Sequence, residues 1–171
     1  KRMSRLVDDL LSVSRIEDSS FELTYDVFEI NEMLRLSLIA FEKKIEAKML
    51  SVDAVFNKEF YHVRANKDYI QRVINNLLDN AIKYSDDGGK IAIKTWDEKN
   101  KVFIMVENTG CGISKEDINH IWDRFYKADK SRGNDKNGVG LGLYLVKTIL
   151  KHHNQDIKVE STPGERTSFT F

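Results

Sequence analysis

Three stretches of this chain, NNLLDNAIKYS, VENTGCGI and GVGLGL, carry residue types whose spacing could do chemistry. In the first, Asn76 and Asn80 stand four residues apart and Lys83 three further on, so on a helix all three project from one stripe. Asparagine is a mediocre helix former, and two on one face call for a task for their amides. Neutral amide oxygens can ligate a Mg²⁺ ion already held by phosphates, because Mg²⁺ commonly takes one or two protein ligands and keeps phosphate and water around it. Lys83 would neutralise phosphate charge beside that ion. Taken alone, the stretch reads better as a solvated helix face.

In the second stretch, Gly110 and Gly112 follow a strand-like run at a one-residue interval, which lets a backbone turn sharply and approach a flat ligand. In the third, Gly138, Gly140 and Gly142 lead into an aliphatic helix whose first amides and dipole can face an anion. A dinucleotide fingerprint would need a glycine at Leu143 and a strand before the motif, whereas the polar run KADKSRGNDKN precedes it. Between the two glycine stretches, WDRFYKADK sets aromatics beside bases. Lys127, Lys130, Arg132 and Lys136 populate a Gly- and Asn-containing segment of the kind that closes over phosphate; in isolation it would read as a solvated loop.

The elements that must position these residues follow from periodicity. Residues 1–17 place Met3, Leu6, Leu10 and Val13 at steps of three and four, the seam of a helix too short to be stable alone. That favours the end of a truncated helical hairpin over a helix merely docked on the following domain. After a turn at Ser19 and Ser20, FELTYDVFEI reads as a strand, and Asn31 as the cap of a helix running to Met49. Short strands are expected at residues 51–56 and 61–65. An amphipathic helix follows over residues 68–84, burying Ile70, Val73, Ile74, Leu77, Leu78 and Ala81. KIAIKTW and KVFIMVEN form a hairpin, then come a short helix over residues 114–121, a helix over residues 141–153, and the strands DIKVES and RTSFTF around the turn TPGE. Helices mixed with hairpin strands imply an α/β two-layer sandwich, a mixed sheet covered on one face, and not a doubly wound parallel sheet.

Composition narrows the function classes. The 171 residues, 41% hydrophobic, suffice for one domain and a small appendage. Lys and Arg number 27, matched by 27 Asp and Glu, so the chain lacks the charge of a general nucleic-acid binder. The single cysteine, Cys111, excludes an internal disulfide and a multi-cysteine zinc site, fits a reducing compartment, and reads as packing between two glycines. Trp96 and Trp122 likewise read as packing residues. No apolar run approaches the ~20 residues of a membrane span.

Residues 76–85, 108–113, 122–127 and 138–143 resemble, in order and spacing, the N-box, the first glycine box, the F-box and the second glycine box of the catalytic domain of sensor histidine kinases. The resemblance covers nearly the whole chain. Residues 1–20 are similar to the end of the dimerising hairpin, and residues 21–171 to the catalytic, ATP-binding domain. The resemblance implies the ATP-binding sandwich, the Bergerat fold, shared with type II topoisomerases, mismatch-repair ATPases and a class of chaperones. It implies ATP and Mg²⁺ as ligands, with Asn80 the principal Mg²⁺ ligand and Asn76 beside the ion. Lys83 would contact phosphate, and Tyr84 would lie against adenine. Gly110, Gly112 and Ile113 would shape the base pocket. Tyr126 and Lys127 would lie by the triphosphate, and Gly138, Val139, Gly140, Leu141 and Gly142 would wrap the phosphates. Most relatives have aspartate where this chain has Asn108, so the acceptor facing the adenine amino group would be neutral.

The reaction implied is transfer of the γ-phosphoryl group to a histidine on the hairpin, then to an aspartate of a response-regulator partner, in a homodimer. None of His62, His120, His152 and His153 has the sequence context of that acceptor, which is expected upstream. His152 and His153 end a helix, where a favourable interaction with its dipole accounts for them. The parent protein is expected to be a membrane-anchored sensor with this domain in the cytoplasm. A hydrolytic ATPase would need a carboxylate at Asn76, and Asp79, the nearest acid, lies off the stripe. A degenerate nucleotide-binding or partner-sequestering module of the same fold is the remaining alternative.

Overall fold

The computed structural model describes residues 2–17, 23–127 and 139–171. Helix α1 spans Arg2–Glu17, strand β1 Asp26–Glu29, helix α2 Ile30–Ala47, strands β2 and β3 Ser51–Phe56 and His62–Ala65, and helix α3 Lys67–Tyr84. Strands β4 and β5, Lys90–Glu98 and Lys101–Thr109, precede a 3₁₀ turn at Asp117–Asn119; helix α4, Gly142–His152, and strands β6 and β7, Lys158–Thr162 and Arg166–Thr170, complete the described fold.

Five strands form one sheet in the order β2-β4-β5-β7-β6, with β2 parallel to β4 and the remaining pairs antiparallel. The sheet is therefore mixed, as the alternation of helices and hairpins implies. The β4–β5 hairpin turns through Lys99 and Asn100, both at positive φ, the handedness that a tight connection between right-twisted strands requires. One face of the sheet, through Ile91, Ile93, Ile104, Val106 and Phe169, joins a core with Val73, Ile74, Leu77 and Leu78 of α3 and Leu145 and Ile149 of α4. On the other face Trp96 stacks on Phe103, with ring centres 5.5 Å apart. β1 and β3 pair antiparallel as a separate ribbon.

Three local expectations are corrected. The strand expected over residues 21–30 is only β1, because its partner β3 is four residues long and Ile30 already opens α2; residues 21 and 22 lie outside the described residues. The cap of α2 is Glu29, not Asn31: its carboxylate accepts the N–H groups of Asn31 and Glu32 at 2.9 and 2.6 Å and that of Tyr61 at 3.0 Å. Burial opposes its ionisation, yet these three backbone bonds and Arg35 hold its carboxyl below the usual range. Asn31 is instead fully buried inside the helix, donating to the carbonyls of Lys58 and Glu59 and accepting from the Thr95 hydroxyl at 2.9 Å. The helix expected over residues 114–121 is reduced to the 3₁₀ turn, since Ser114 satisfies the Asp117 amide and the segment is too short to propagate.

Helix α1 buries Val13 and Ile16 and packs against α4, while Val7, Leu10 and Leu11 stay exposed. Its last residue, Glu17, pairs with Arg124, and the Tyr144 hydroxyl donates to the same carboxylate at 2.5 Å. His153 does not act as a cation at the end of α4. Its Nδ1 bonds the Ile149 carbonyl at 2.8 Å and its Nε2 accepts the Asn66 N–H at 3.1 Å, an arrangement that requires the neutral ring. Burial pushes its pKa below the ordinary 6.5.

Candidate functional site

Helix α3 starts at Asn66, whose side chain accepts the Tyr69 N–H at 3.0 Å, and turns its aliphatic stripe inward. Periodicity then leaves Asn76, Asn80 and Lys83 on the other stripe, partly exposed. One turn beyond Asn80, Tyr84 ends the helix. Beside that end runs the C-terminal end of β5, joined through an isolated bridge between Ser85 and Gly110. These elements, the 3₁₀ segment, the stretch through Tyr126 and the start of α4 enclose an open-sided cleft of about 800 Å³, counting the space open to solvent.

The cleft brings together Asn80, Tyr84, Asn108, Gly112, Ile113, Tyr126 and Lys127 of the expected set. Ser114, Asp117 and Cys111 add polar atoms to the wall; Ile121, Leu143, Pro163, Thr167 and Phe169 complete an apolar floor that periodicity had not assigned. Inward alternation along RTSFTF marks Thr167 and Phe169 as one face of a strand. Their place at the cleft depends on β7 lying next to β5, which local pattern does not encode.

Polar contacts set the shape of the walls. Asn108 is 5% exposed, and its Nδ2 donates to the Thr109 carbonyl at 3.2 Å. The Asp117 carboxylate receives the hydroxyls of Tyr126 and Ser114 at 2.5 and 2.6 Å, which fixes the Tyr126 ring at the rim. Asn76 is outside the cleft lining. Its amide nitrogen donates to the Arg72 carbonyl at 2.9 Å, and its Oδ1 lies 3.1 Å from where a Cβ on Gly142 would stand, so the asparagine stripe and the start of α4 touch. Lys83 Nζ sits over the Tyr84 ring, 4.8 Å from its centre. Asp79 is held by Lys44 at 2.5 Å, away from the stripe.

The glycines serve the protein's own backbone more than a ligand's approach. A Cβ at Gly110 would stand 2.0 Å from the Tyr84 carbonyl oxygen, at φ +155°; one at Gly112 would stand 2.4 Å from the Thr162 carbonyl oxygen, at φ +65°. Gly112 lines the cleft and Gly110 stands behind it. Gly140, at φ +76°, packs against Phe125 and Tyr126, and Phe125 donates its N–H to the Gly140 carbonyl at 3.0 Å. The cap residue of α4, Leu141, is buried and its side chain makes no capping bond, so the first turn of the helix begins beside the cleft without a polar cap of its own. Val139 is half-buried next to it. Gly138, Lys130, Arg132 and Lys136 lie outside the described residues.

Among the described residues, no three His, Cys, Asp or Glu side chains converge on a metal position. The cleft wall offers a cation the side-chain oxygens of Asn80, Asn108, Ser114 and Asp117. No helix among the described residues is long and apolar enough to cross a membrane.

Residues 65–171 match the family described as histidine kinase-, DNA gyrase B- and HSP90-like ATPase. The chain is 33% identical over 173 residues to the sensor histidine kinase WalK of Bacillus subtilis (strain 168), a match covering all of this chain and 28% of that protein. It is 34% identical over 170 residues to the sensor protein SrrB of Staphylococcus aureus (strain NCTC 8325 / PS 47), covering 99% of this chain and 29% of that one. The chain thus spans less than a third of the length of these curated relatives. Among solved structures, the histidine kinase AdeS of Acinetobacter baumannii superposes with a TM-score of 0.79 at 26% identity, covering 98% of this chain and 75% of that one. The histidine kinase ThkA, solved in complex with the response regulator protein TrrA, superposes with a TM-score of 0.77 at 25% identity, covering 99% of this chain and 47% of that one.

Proposed function

Because the chain belongs to the histidine kinase-, DNA gyrase B- and HSP90-like ATPase family, we propose that it is the part of a sensor histidine kinase that binds Mg-ATP and presents the γ-phosphate to a histidine. The observation that carries this reading is the meeting of Asn80, Tyr84, Asn108, Tyr126 and Lys127 on one cleft, beside the start of α4. In this reading Tyr84, Ile113 and Phe169 provide the apolar slot for the base, and Asn108 faces its amino group with a neutral oxygen. Gly110 and Gly112 hold the backbone that carries this slot, and Lys83 and Lys127 offset phosphate charge. The amides of Gly142 and the residues after it offer donors to phosphate oxygens, with the dipole of α4 favouring the anion. Asn80, with Asn76 behind it, would hold Mg²⁺, which would supply charge neutralisation to bound phosphates.

The chain's own contribution is positioning and charge neutralisation. No histidine lines the cleft, so the acceptor is proposed to come from a hairpin of which α1 forms the end, residues 1–20, with residues 21–171 as the catalytic domain. The homodimer through that hairpin and onward transfer to a response-regulator aspartate belong to the same proposal, as does a membrane-anchored parent with this domain in the cytoplasm. Hydrolysis is disfavoured, because Asn76 offers no base to a water and Asp79 is engaged by Lys44.

Calorimetric titration with ATP, with and without Mg²⁺, tests the site. Binding should tighten with Mg²⁺, and Asn80→Ala should weaken Mg-ATP binding at least tenfold, about 1.4 kcal/mol, while leaving metal-free binding nearly unchanged. Equal losses in both conditions would remove Asn80 from the metal.

A further inference from the structure

The exit of α3, residues 83–89, carries Tyr84 into the cleft wall and is gripped from two sides. On the cleft side, Ser85 bridges Gly110, whose missing Cβ leaves room for the Tyr84 carbonyl. On the far side stands Lys48, the residue that ends α2. Its Nζ donates to the carbonyls of Lys83 and Ser85 at 2.9 and 2.7 Å, and its own carbonyl accepts the Gly88 N–H at 2.8 Å. One bond further on, Ser51 donates its N–H to the Gly89 carbonyl at 2.9 Å.

We infer that Lys48 is a positioning residue for the nucleotide cleft: its ammonium, bound to the two carbonyls flanking Tyr84, sets where that ring stands. The inference rests on the nucleotide-binding reading of the cleft. Three facts carry it. The ammonium takes the Lys83 carbonyl in the last turn of α3, where the helix is partially negative, and the Ser85 carbonyl just beyond it, so both bonds are charge-assisted. It does not line the cleft, so any effect on a ligand must pass through the exit. The exit cannot absorb a shift quietly, because the Tyr84 carbonyl already touches the backbone at Gly110 with no room for a methyl group. Losing the ammonium therefore lets residues 83–85 move as a unit, and Tyr84 with them.

Lys48→Met keeps the apolar stem and removes the donors. Titrating Mg-ATP into the unaltered chain, Lys48→Met, Lys48→Arg and Ile45→Val separates the possibilities, with thermal unfolding measured in parallel. Ile45 is buried on α2, three residues before Lys48, so Ile45→Val lowers stability while keeping the Lys48 ammonium and both of its carbonyl partners. The expected result is about fivefold weaker binding in Lys48→Met, recovery of most of that loss in Lys48→Arg, and unchanged binding in Ile45→Val. A lower melting temperature with unchanged affinity in Lys48→Met would overturn the inference and leave Lys48 as a helix cap only. Weakened binding in Ile45→Val would also overturn it, by showing that affinity follows global stability. No binding by the folded, unaltered chain would remove the nucleotide reading itself, and this inference with it.

Discussion

The two walls of the cleft are held by different means. The wall made of α3 and β5 is backed by side chains with no exposure at all, Val73, Ile74, Leu77 and Leu78 on the helix and Ile91 and Ile93 on the neighbouring strand, and its glycines seat backbone against backbone. The wall made by residues 121–127 and the start of α4 buries Ile121 and Leu141 and is tied further by polar contacts, among them Tyr126 to Asp117, Phe125 to Gly140, and Arg124 to Glu17 and Tyr144. It also contains Phe125, a bulky residue at φ +63° and 59% exposed, a conformation that costs free energy and is held by its surroundings. The comparison teaches a division of labour. The first wall fixes the shape of the site as part of the core, and the second fixes access with contacts that can be exchanged.

If that division holds, Gly110→Ala should have the largest effect, since its methyl group would stand 2.0 Å from the Tyr84 carbonyl oxygen, backbone that cannot turn aside as a side chain could. A loss of about 4 kcal/mol in urea unfolding is expected. A loss below about 1 kcal/mol would show that this wall gives way easily, and the contrast would fail.

Gly140→Ala places a methyl group 2.6 Å from the Tyr126 carbonyl oxygen at φ +76°. Because the second wall is less tied to the core, a smaller loss of about 2 kcal/mol is expected, accompanied by weaker ATP binding as Tyr126 is displaced. Equal losses for the two alanines would erase the difference between the walls.

The ribbon end of the molecule sharpens the comparison through pH. Burial holds His153 neutral between the Asn66 amide and the Ile149 carbonyl, with its pKa below the ordinary 6.5. Its contribution to stability is complete above 6.5 and is lost as pH falls through the lowered pKa of the folded state, where the ring must take up a proton. The urea midpoint should therefore drop between about pH 7.5 and about pH 5.5, and less steeply in His153→Gln. An unchanged slope in that variant would mean that other groups carry the dependence.

The smallest effect is expected at Phe125. Replacing it by glycine removes the positive-φ penalty and little buried surface, so Phe125→Gly should gain about 0.5 kcal/mol in the same unfolding assay. A loss would show that the exposed ring contributes packing to the second wall.

Much of the first wall was legible in the sequence, because helix periodicity puts Ile70, Val73, Ile74, Leu77, Leu78 and Ala81 on one side and Asn76, Asn80 and Lys83 on the other within a single element. The hairpin of β4 and β5 was legible for the same reason, its pattern and its turn lying within one short stretch. The second wall was less so. Leu143, in the glycine stretch itself, and Ile121 become floor residues only when α4 and the 3₁₀ segment meet β5 and β7.

By itself, the sequence determined the mixed sandwich, the order of its elements, the asparagine stripe and the set of glycines, since each depends on spacing within one helix, strand or loop. The tertiary structure alone decided what those glycines are for, because the carbonyl that excludes a side chain at Gly110 belongs to Tyr84, and the one at Gly112 to Thr162. It also decided that Glu29 and not Asn31 caps α2: Glu29 gains a third donor from Tyr61, while Asn31 is drawn inside by Lys58, Glu59 and Thr95. In the same way it made His153 a neutral link between helices, through an amide of Asn66 far away along the chain. Each of these outcomes turns on a hydrogen-bonding group supplied by a distant segment, and a buried polar atom takes the partner that folding brings to it.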